Sequence, residues 1–473
     1  MSYIEERKMV TREKRLTSLS HFNGTLEQLL NETEGNEIKQ RIRTFMQTYE
    51  DEIIAAIRVL SSIKSSAVIV HGVAGCSASA LALAAKNQSN IFSTNLQERD
   101  TILGSDEKLR NAITKIYYEL HPEVVFVIGS PVVAINNDDI NSVIFELEDE
   151  LGIKIISIYT DGFKTKTKVT GYDIILHGLL RNIVGKDDFD NADESEQNDD
   201  FINIISLSEN KRSIKSLTQT LDDLKIAYNI LPQFSSVKNI RKASQAKASV
   251  VLNAEEGEYF AQDLETAFKV PYLKTPSPIG FQDTADFILK IAKLFDSKKE
   301  EEAITYIEKR EEEIRNKVKL KQFENKIFYY DGKLTLLPGF EKLLTALGGK
   351  ISGFAINFVD LDNRTILSKL KSFGALTPVI IGNGQNFEKA NALAKNHYDY
   401  YLSLNSSVSF AAEADTIPVS LSHFSIFGYE GILDIFSAIS NAKIFETQKV
   451  TSGIYKDSWL KKSGSWYVKN ETK

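Results

Sequence analysis

The sequence predicts an α/β protein made of three doubly wound, Rossmann-like parallel-sheet domains. Three observations predict it. At 473 residues the chain is too long for one hydrophobic core and suits about three domains. Unbroken apolar runs such as Ala67-Val68-Ile69-Val70 and Val124-Val125-Phe126-Val127-Ile128 lack the alternation of a half-exposed strand. They read as strands covered on both faces, and they alternate with segments of helical period. Several of the runs end in glycine turns, at Gly72, Gly129 and Gly382. That is where open α/β sheets hold their ligands.

Composition narrows the partners. Hydrophobic residues make up 42% and charged residues 26% of an ordinary globular balance. A net charge of -7 offers no general attraction to nucleic acid or acidic lipid, so neither is expected as a partner. No apolar run reaches membrane-spanning length, and Met1-Ser2-Tyr3-Ile4-Glu5-Glu6-Arg7 has no signal-like apolar stretch. A single cysteine excludes an internal disulfide framework and fits a reducing cytoplasm.

Taken in order, residues 1–62 form an N-terminal segment, polar to about residue 20 and helical from about Thr25, with Leu26, Leu29 and Leu30 on one face. Ile53, Ile54, Ile57, Val59 and Leu60 make a second apolar stripe. A first α/β domain follows over 63–200. Its strands are Ala67–Val70, Asn90–Thr94, Val124–Ile128 and Lys154–Tyr159; its helices are Asp106–Leu120, one opening near Asn137-Asp138-Asp139-Ile140, and Gly171–Val184. Lys186 to Asp200 is acidic and poor in apolar residues, as a linker is. A second domain covers 201–325, with strands at Phe201–Ser206, Tyr228–Leu231 and Ala248–Leu252. Helices at Ile214–Leu224, Val237–Ala246, Gly257–Phe268 and Asp283–Phe295 separate them, and a densely charged exposed helix bridges onward from Lys298 to Lys321. The third domain, 326–473, carries strands at Lys326–Tyr330, Phe354–Phe358, Val379–Ile381 and Ile417–Val419, and a helix opening at Phe427-Gly428-Tyr429-Glu430-Gly431.

The chemistry concentrates at His71-Gly72-Val73-Ala74-Gly75-Cys76-Ser77. Gly72 and Gly75 let the backbone turn sharply and approach another group closely, and small residues follow (Ala78-Ser79-Ala80). Cys76 therefore falls where a strand ends and a helix starts. The turn lacks the lysine and spacing of a nucleotide-phosphate loop, and no dinucleotide fingerprint follows any strand. One cysteine and six scattered histidines exclude a zinc site. A lone cysteine reads either as a small buried hydrophobe or as a ligand. A Cys76–His71 hydrolase is a further reading, with poor spacing for a base.

The order of motifs resembles component 1 subunits of nitrogenase and of nitrogenase-like reductases such as dark-operative protochlorophyllide reductase. The resemblance runs from about residue 60 to 445. It rests on His71–Cys76, Ser93–Gly104, His121–Val127, Asn137–Ile140, Pro276-Ser277-Pro278-Ile279-Gly280 and Phe427–Gly431. It implies a nitrogenase component 1-like fold and a cluster site between two related subunits. The family commonly supplies three cysteines per subunit. Cys76 matches the central one, Ser130 stands at the position of the last, and no cysteine occurs near Glu50-Asp51-Glu52. The resemblance thus implies an iron–sulfur cluster shared with a homologous α-like partner. Cys76 would be its single metal ligand here, Gly72 and Gly75 its close backbone, and Ser130 a weaker oxygen ligand or hydrogen-bond donor. Phe427 replaces the histidine that precedes the Gly-Tyr-Glu-Gly motif in cofactor-bearing subunits, so no iron–molybdenum cofactor is expected in this chain. His423 and the Gly428–Gly431 motif look β-like. An ATP-hydrolysing iron protein would be the electron-donating partner. The competing reading is a cluster-free scaffold or small-molecule-binding homologue.

Overall fold

Val124 to Ile128 are all fully buried, which a strand achieves only when helices cover both faces of its sheet. The computed structural model describes residues 18–35, 51–77, 90–160, 168–186, 200–360, 363–382, 385–406 and 408–442. The small-residue run after Ser77, the acidic linker from Asp187, and the Asn383-Gly384 turn lie outside them. The strands are β1 Phe22–Thr25, β2 Ser66–His71, β3 Ile91–Ser93, β4 Val124–Gly129, β5 Lys154–Tyr159, β6 Phe201–Ser206 and β7 Ala227–Pro232. Then come β8 Ala248–Val251, β9 Ile327–Gly332, β10 Lys350–Ile356, β11 Pro378–Ile381, β12 Tyr400–Ser403 and β13 Ile417–Ser420.

They build three sheets, as the alternating pattern requires. Their orders are β3-β2-β4-β5, β7-β6-β8 and β1-β11-β10-β9-β12-β13. Every pairing is parallel except that of β1 with β11. The chain divides into two compact units. One holds Glu50–Ser208 and Ala227–Lys274, with the first two sheets; the other holds Thr17–Tyr49, Glu209–Ile226 and the chain from Thr275, with the third.

In the first sheet, alternate residues serve opposite faces. Ala67, Ile69, Val125, Val127 and Ile155 pack with Leu109, Ile113 and Ile116 of helix Asp106–Leu120 and with Val143, Ile144 and Leu147 of helix Ile140–Leu151. Helices Glu52–Leu60 and Val169–Asn182 pack on each other and on the strands β4 and β5. Each large aliphatic side chain so buried contributes about 1.5–3 kcal/mol. The order β3-β2-β4-β5 places the reversal of winding between β2 and β4, so a crevice opens between their carboxyl ends.

The third sheet has two strands that sequence pattern does not reveal. β12 begins in a run of tyrosines with a serine end, and Tyr401 stacks on Tyr329. β1 carries Asn23 and Gly24, yet pairs along its whole length with β11. At the end of β9, Asp331 is buried and ion-paired with buried Lys389 at 2.8 Å. Its other oxygen accepts from Tyr401 at 2.5 Å and from Ser403 at 3.1 Å.

Candidate functional site

The site is built from the ends of β2, β3 and β4. His71 and Gly129 are direct partners in the β2–β4 ladder, so the turns that leave those strands are neighbours. The Ser130 amide donates to the His71 carbonyl at 3.0 Å, closing the pair. A β-carbon placed on Gly72 would lie 2.2 Å from Ser130 Oγ and 2.6 Å from Ser130 Cβ. Glycine is therefore required at 72 by close approach. Ser130 itself is fully buried, and its hydroxyl has no hydrogen-bond partner among the described residues. Of the residues expected at the site, the structure brings Gly72 and Ser130 into contact and sets both over the switch-point crevice.

Cys76 lies one step further out. Residues 74–77 are helical; Ala74 and Gly75 are exposed, and Cys76 is a partly exposed free thiol. A β-carbon on Gly75 would meet nothing within 4 Å, so, unlike Gly72, Gly75 is not required by the close approach expected of it. Edge strand β3 pins this turn. The Leu96 amide donates to the Gly72 carbonyl at 2.9 Å, and Val73 bridges Leu96 in parallel. The Ser93 hydroxyl donates to Ser77 Oγ at 2.8 Å, and the Ser77 hydroxyl donates to the Val73 carbonyl at 3.1 Å. The turn that carries the thiol is thus braced by backbone and serine hydrogen bonds from the end of β3 and the segment that follows it.

His71 carries more structure than its sequence position suggests. It is buried, with Nδ1 3.1 Å from Thr94 Oγ1 and Nε2 3.0 Å from Ser105 Oγ. Ser105 donates in turn to Asp138 Oδ2 at 2.6 Å, and the Gly72 amide donates to Thr94 Oγ1 at 3.0 Å. Burial pulls the imidazole from 6.5 down to about 4, against the attraction of Asp138 and Asp106. It is neutral at pH 7. Both ring nitrogens are engaged by hydroxyls, so His71 has none left to serve Cys76 as a base, and the hydrolase reading falls.

Thr94, Ser105 and Asp138 were not singled out as site residues by sequence. The signal available was weak: polar residues at a strand end, a Gly-Ser turn, and one of two adjacent aspartates. Asp139 caps the helix Ile140–Leu151, accepting the Ser142 amide at 3.1 Å. That leaves Asp138 for the network. At the other expected positions, Asp51 caps the helix Glu52–Leu60, accepting the Ile54 amide at 2.9 Å. Phe427 is fully buried at the start of helix Gly428–Ser440, and His423 is exposed. Among the described residues, no group of three His, Cys, Asp or Glu side chains could hold a metal ion. No described helix is long and apolar enough to cross a membrane.

Parallel sheets wound in both directions, with a crevice at the switch point between β2 and β4, define a doubly wound α/β protein. Residues 52–443 match the nitrogenase component 1 type oxidoreductase family, and the chain belongs to that family. It is 30% identical over 286 residues to the nitrogenase iron-molybdenum cofactor biosynthesis protein NifE of Clostridium pasteurianum, covering 58% of each chain. It is 26% identical over 333 residues to the nitrogenase molybdenum-iron protein alpha chain of Methanosarcina barkeri, covering 66% of this chain and 61% of that one. The chain thus spans about three fifths of the length of these relatives. Its fold matches the solved structure of nitrogenase Cp1 at pH 5 with a TM-score of 0.72. That match covers 96% of this chain and 99% of that one at 19% identity.

Proposed function

We propose that this chain is one subunit of a nitrogenase-like reductase, β-like in that it carries no iron–molybdenum cofactor. Cys76 supplies a single thiolate to an iron–sulfur cluster held mostly by a homologous partner. One observation carries the reading: the sole cysteine is partly exposed on a braced turn at the carboxyl edge of its sheet. Exposed Ile102, Leu103 and Ile135, on the helices that follow β3 and β4, crowd the same edge at 73%, 72% and 70% exposure. Asn136 ties those two helices together through the Thr101 carbonyl at 3.3 Å. Large apolar side chains so displayed suit burial against a second protein.

The donor set fits a share of a cluster and not the whole. A four-iron cluster generally takes four protein ligands, and this chain offers one thiol, with the buried Ser130 hydroxyl as an oxygen nearby in the fold. When bound, such a cluster would carry single electrons delivered by an ATP-hydrolysing iron protein. The chain's own part is to hold the thiol on a braced turn, to keep that turn's backbone close at Gly72, and to exclude water with the apolar rim.

A second reading is favoured by the similarity to a cofactor biosynthesis protein: a scaffold on which metal cargo is assembled, without electron relay. Anaerobic co-expression with the homologous partner, then iron analysis and a visible spectrum, tests the first reading. Iron in the complex that is lost or weakened in Cys76→Ala supports it. A complex that stays colourless after reconstitution sinks it. Turnover with an iron protein and ATP separates the relay from the scaffold.

A further inference from the structure

Asp138, Ser105, His71, Thr94 and Gly72 form a chain of hydrogen bonds whose direction follows from donor arithmetic. A carboxylate only accepts, so the one Ser105 hydroxyl proton is committed to Asp138 at 2.6 Å. Toward His71, Ser105 Oγ can then only accept, which puts a proton on Nε2 at 3.0 Å. A neutral imidazole with that proton has a bare Nδ1, which accepts from Thr94 Oγ1 at 3.1 Å. Thr94 Oγ1 in turn accepts the Gly72 amide at 3.0 Å. The donors run one way: Gly72 amide, Thr94, His71, Ser105, Asp138. Asp138 is the member nearest solvent, at 12% side-chain exposure, and the histidine is enclosed at 1%.

We propose that His71 is the positioning residue of the cysteine-bearing turn, its tautomer set by Ser105 and Asp138 and its orienting pull delivered through Thr94 to the Gly72 amide. Gly72 is where the chain leaves β2. Its carbonyl is held from the other side by Leu96 at 2.9 Å, and its α-carbon is pressed against Ser130. Three restraints on one glycine fix the direction of the three residues that lead from it to Cys76. The role matters for function through the reading of Cys76 as a ligand, but the geometry is tested without iron.

Because Cys76 is the sole cysteine, the labelling rate of the full-length, iron-free chain with iodoacetamide reads this turn alone. Thr94→Val and Asp138→Asn should each raise that rate by more than twofold as the loosened turn opens the partly exposed thiol, and Thr94→Ser should keep the native rate. Ile113→Val, a core change beneath the same sheet, should lower the melting temperature without moving it. Nitrogen-15 spectra of the histidines should place the His71 proton on Nε2 in the native chain and lose that preference in Asp138→Asn. Rates within twofold of native in both network variants, or a native proton on Nδ1, would overturn the proposal. Failure of the iron analysis would leave this result standing, and a negative labelling result would leave the shared cluster standing, so the two are separable.

Discussion

Ser130 Oγ sits over the α-carbon of Gly72, 2.2 Å from where a β-carbon would be, and has no hydrogen-bond partner among the described residues. A buried hydroxyl left unpaired costs about 1–3 kcal/mol, so Ser130→Ala should be neutral or stabilising in the isolated chain. Loss of complex formation or of bound iron in that variant, with the melting temperature held or raised, would mark the hydroxyl as reserved for a ligand or a partner.

Gly72→Ala should cost about 1–3 kcal/mol by overpacking. The partner change that relieves it is specific. Ser130→Ala removes only the oxygen and leaves its β-carbon at 2.6 Å, whereas Ser130→Gly clears both contacts. Thermal unfolding of the two double variants should show rescue by Ser130→Gly alone.

Acid should loosen the site through His71. Its folded value, about 4, lies below the 6.5 of an exposed histidine because burial disfavours the cation. Below 6.5 the unfolded chain takes up the proton first, so the stability His71 contributes is present above that pH and is lost as pH falls toward 4. The full loss is on the order of 3 kcal/mol. Denaturation midpoints at pH 7 and pH 4.5 should differ less in His71→Gln than in the native chain; equal slopes in both would refute the assignment.

Lys389 and Asp331 are both nearly enclosed, and the pair is satisfied further by Tyr401 and Ser403. Lys389→Met removes one partner and strands a charge, at a cost of about 3–5 kcal/mol. Lys389→Met with Asp331→Asn should cost clearly less than the single change, as chemical denaturation followed by circular dichroism would report.

The apolar rim gives a prediction without a stability cost. Ile102→Asp and Ile135→Asp alter side chains already open to solvent, so the melting temperature should shift little. Affinity for the homologous partner should fall by at least about tenfold if these side chains sit at the centre of the interface. Unchanged co-purification would place the partner elsewhere.

The amino-acid order alone determined the parallel sheets. Val124 to Ile128 and Ala67 to Val70 are apolar without alternation, and only a strand enclosed on both faces tolerates that. It also determined where Cys76 falls, because a glycine turn after such a strand has one place in a doubly wound fold. Tertiary structure decided the rest. β1 forms from Phe22-Asn23-Gly24-Thr25 although Asn23 and Gly24 disfavour strands, because the edge of β11 needs a partner for its backbone. The contact of Gly72 with Ser130 depends on the register of His71 with Gly129, a relation between strands that no local pattern carries. The division of labour between Asp138 and Asp139 is likewise spatial: adjacent carboxylates point to different donors, and only the packed helix says which caps and which reaches the histidine.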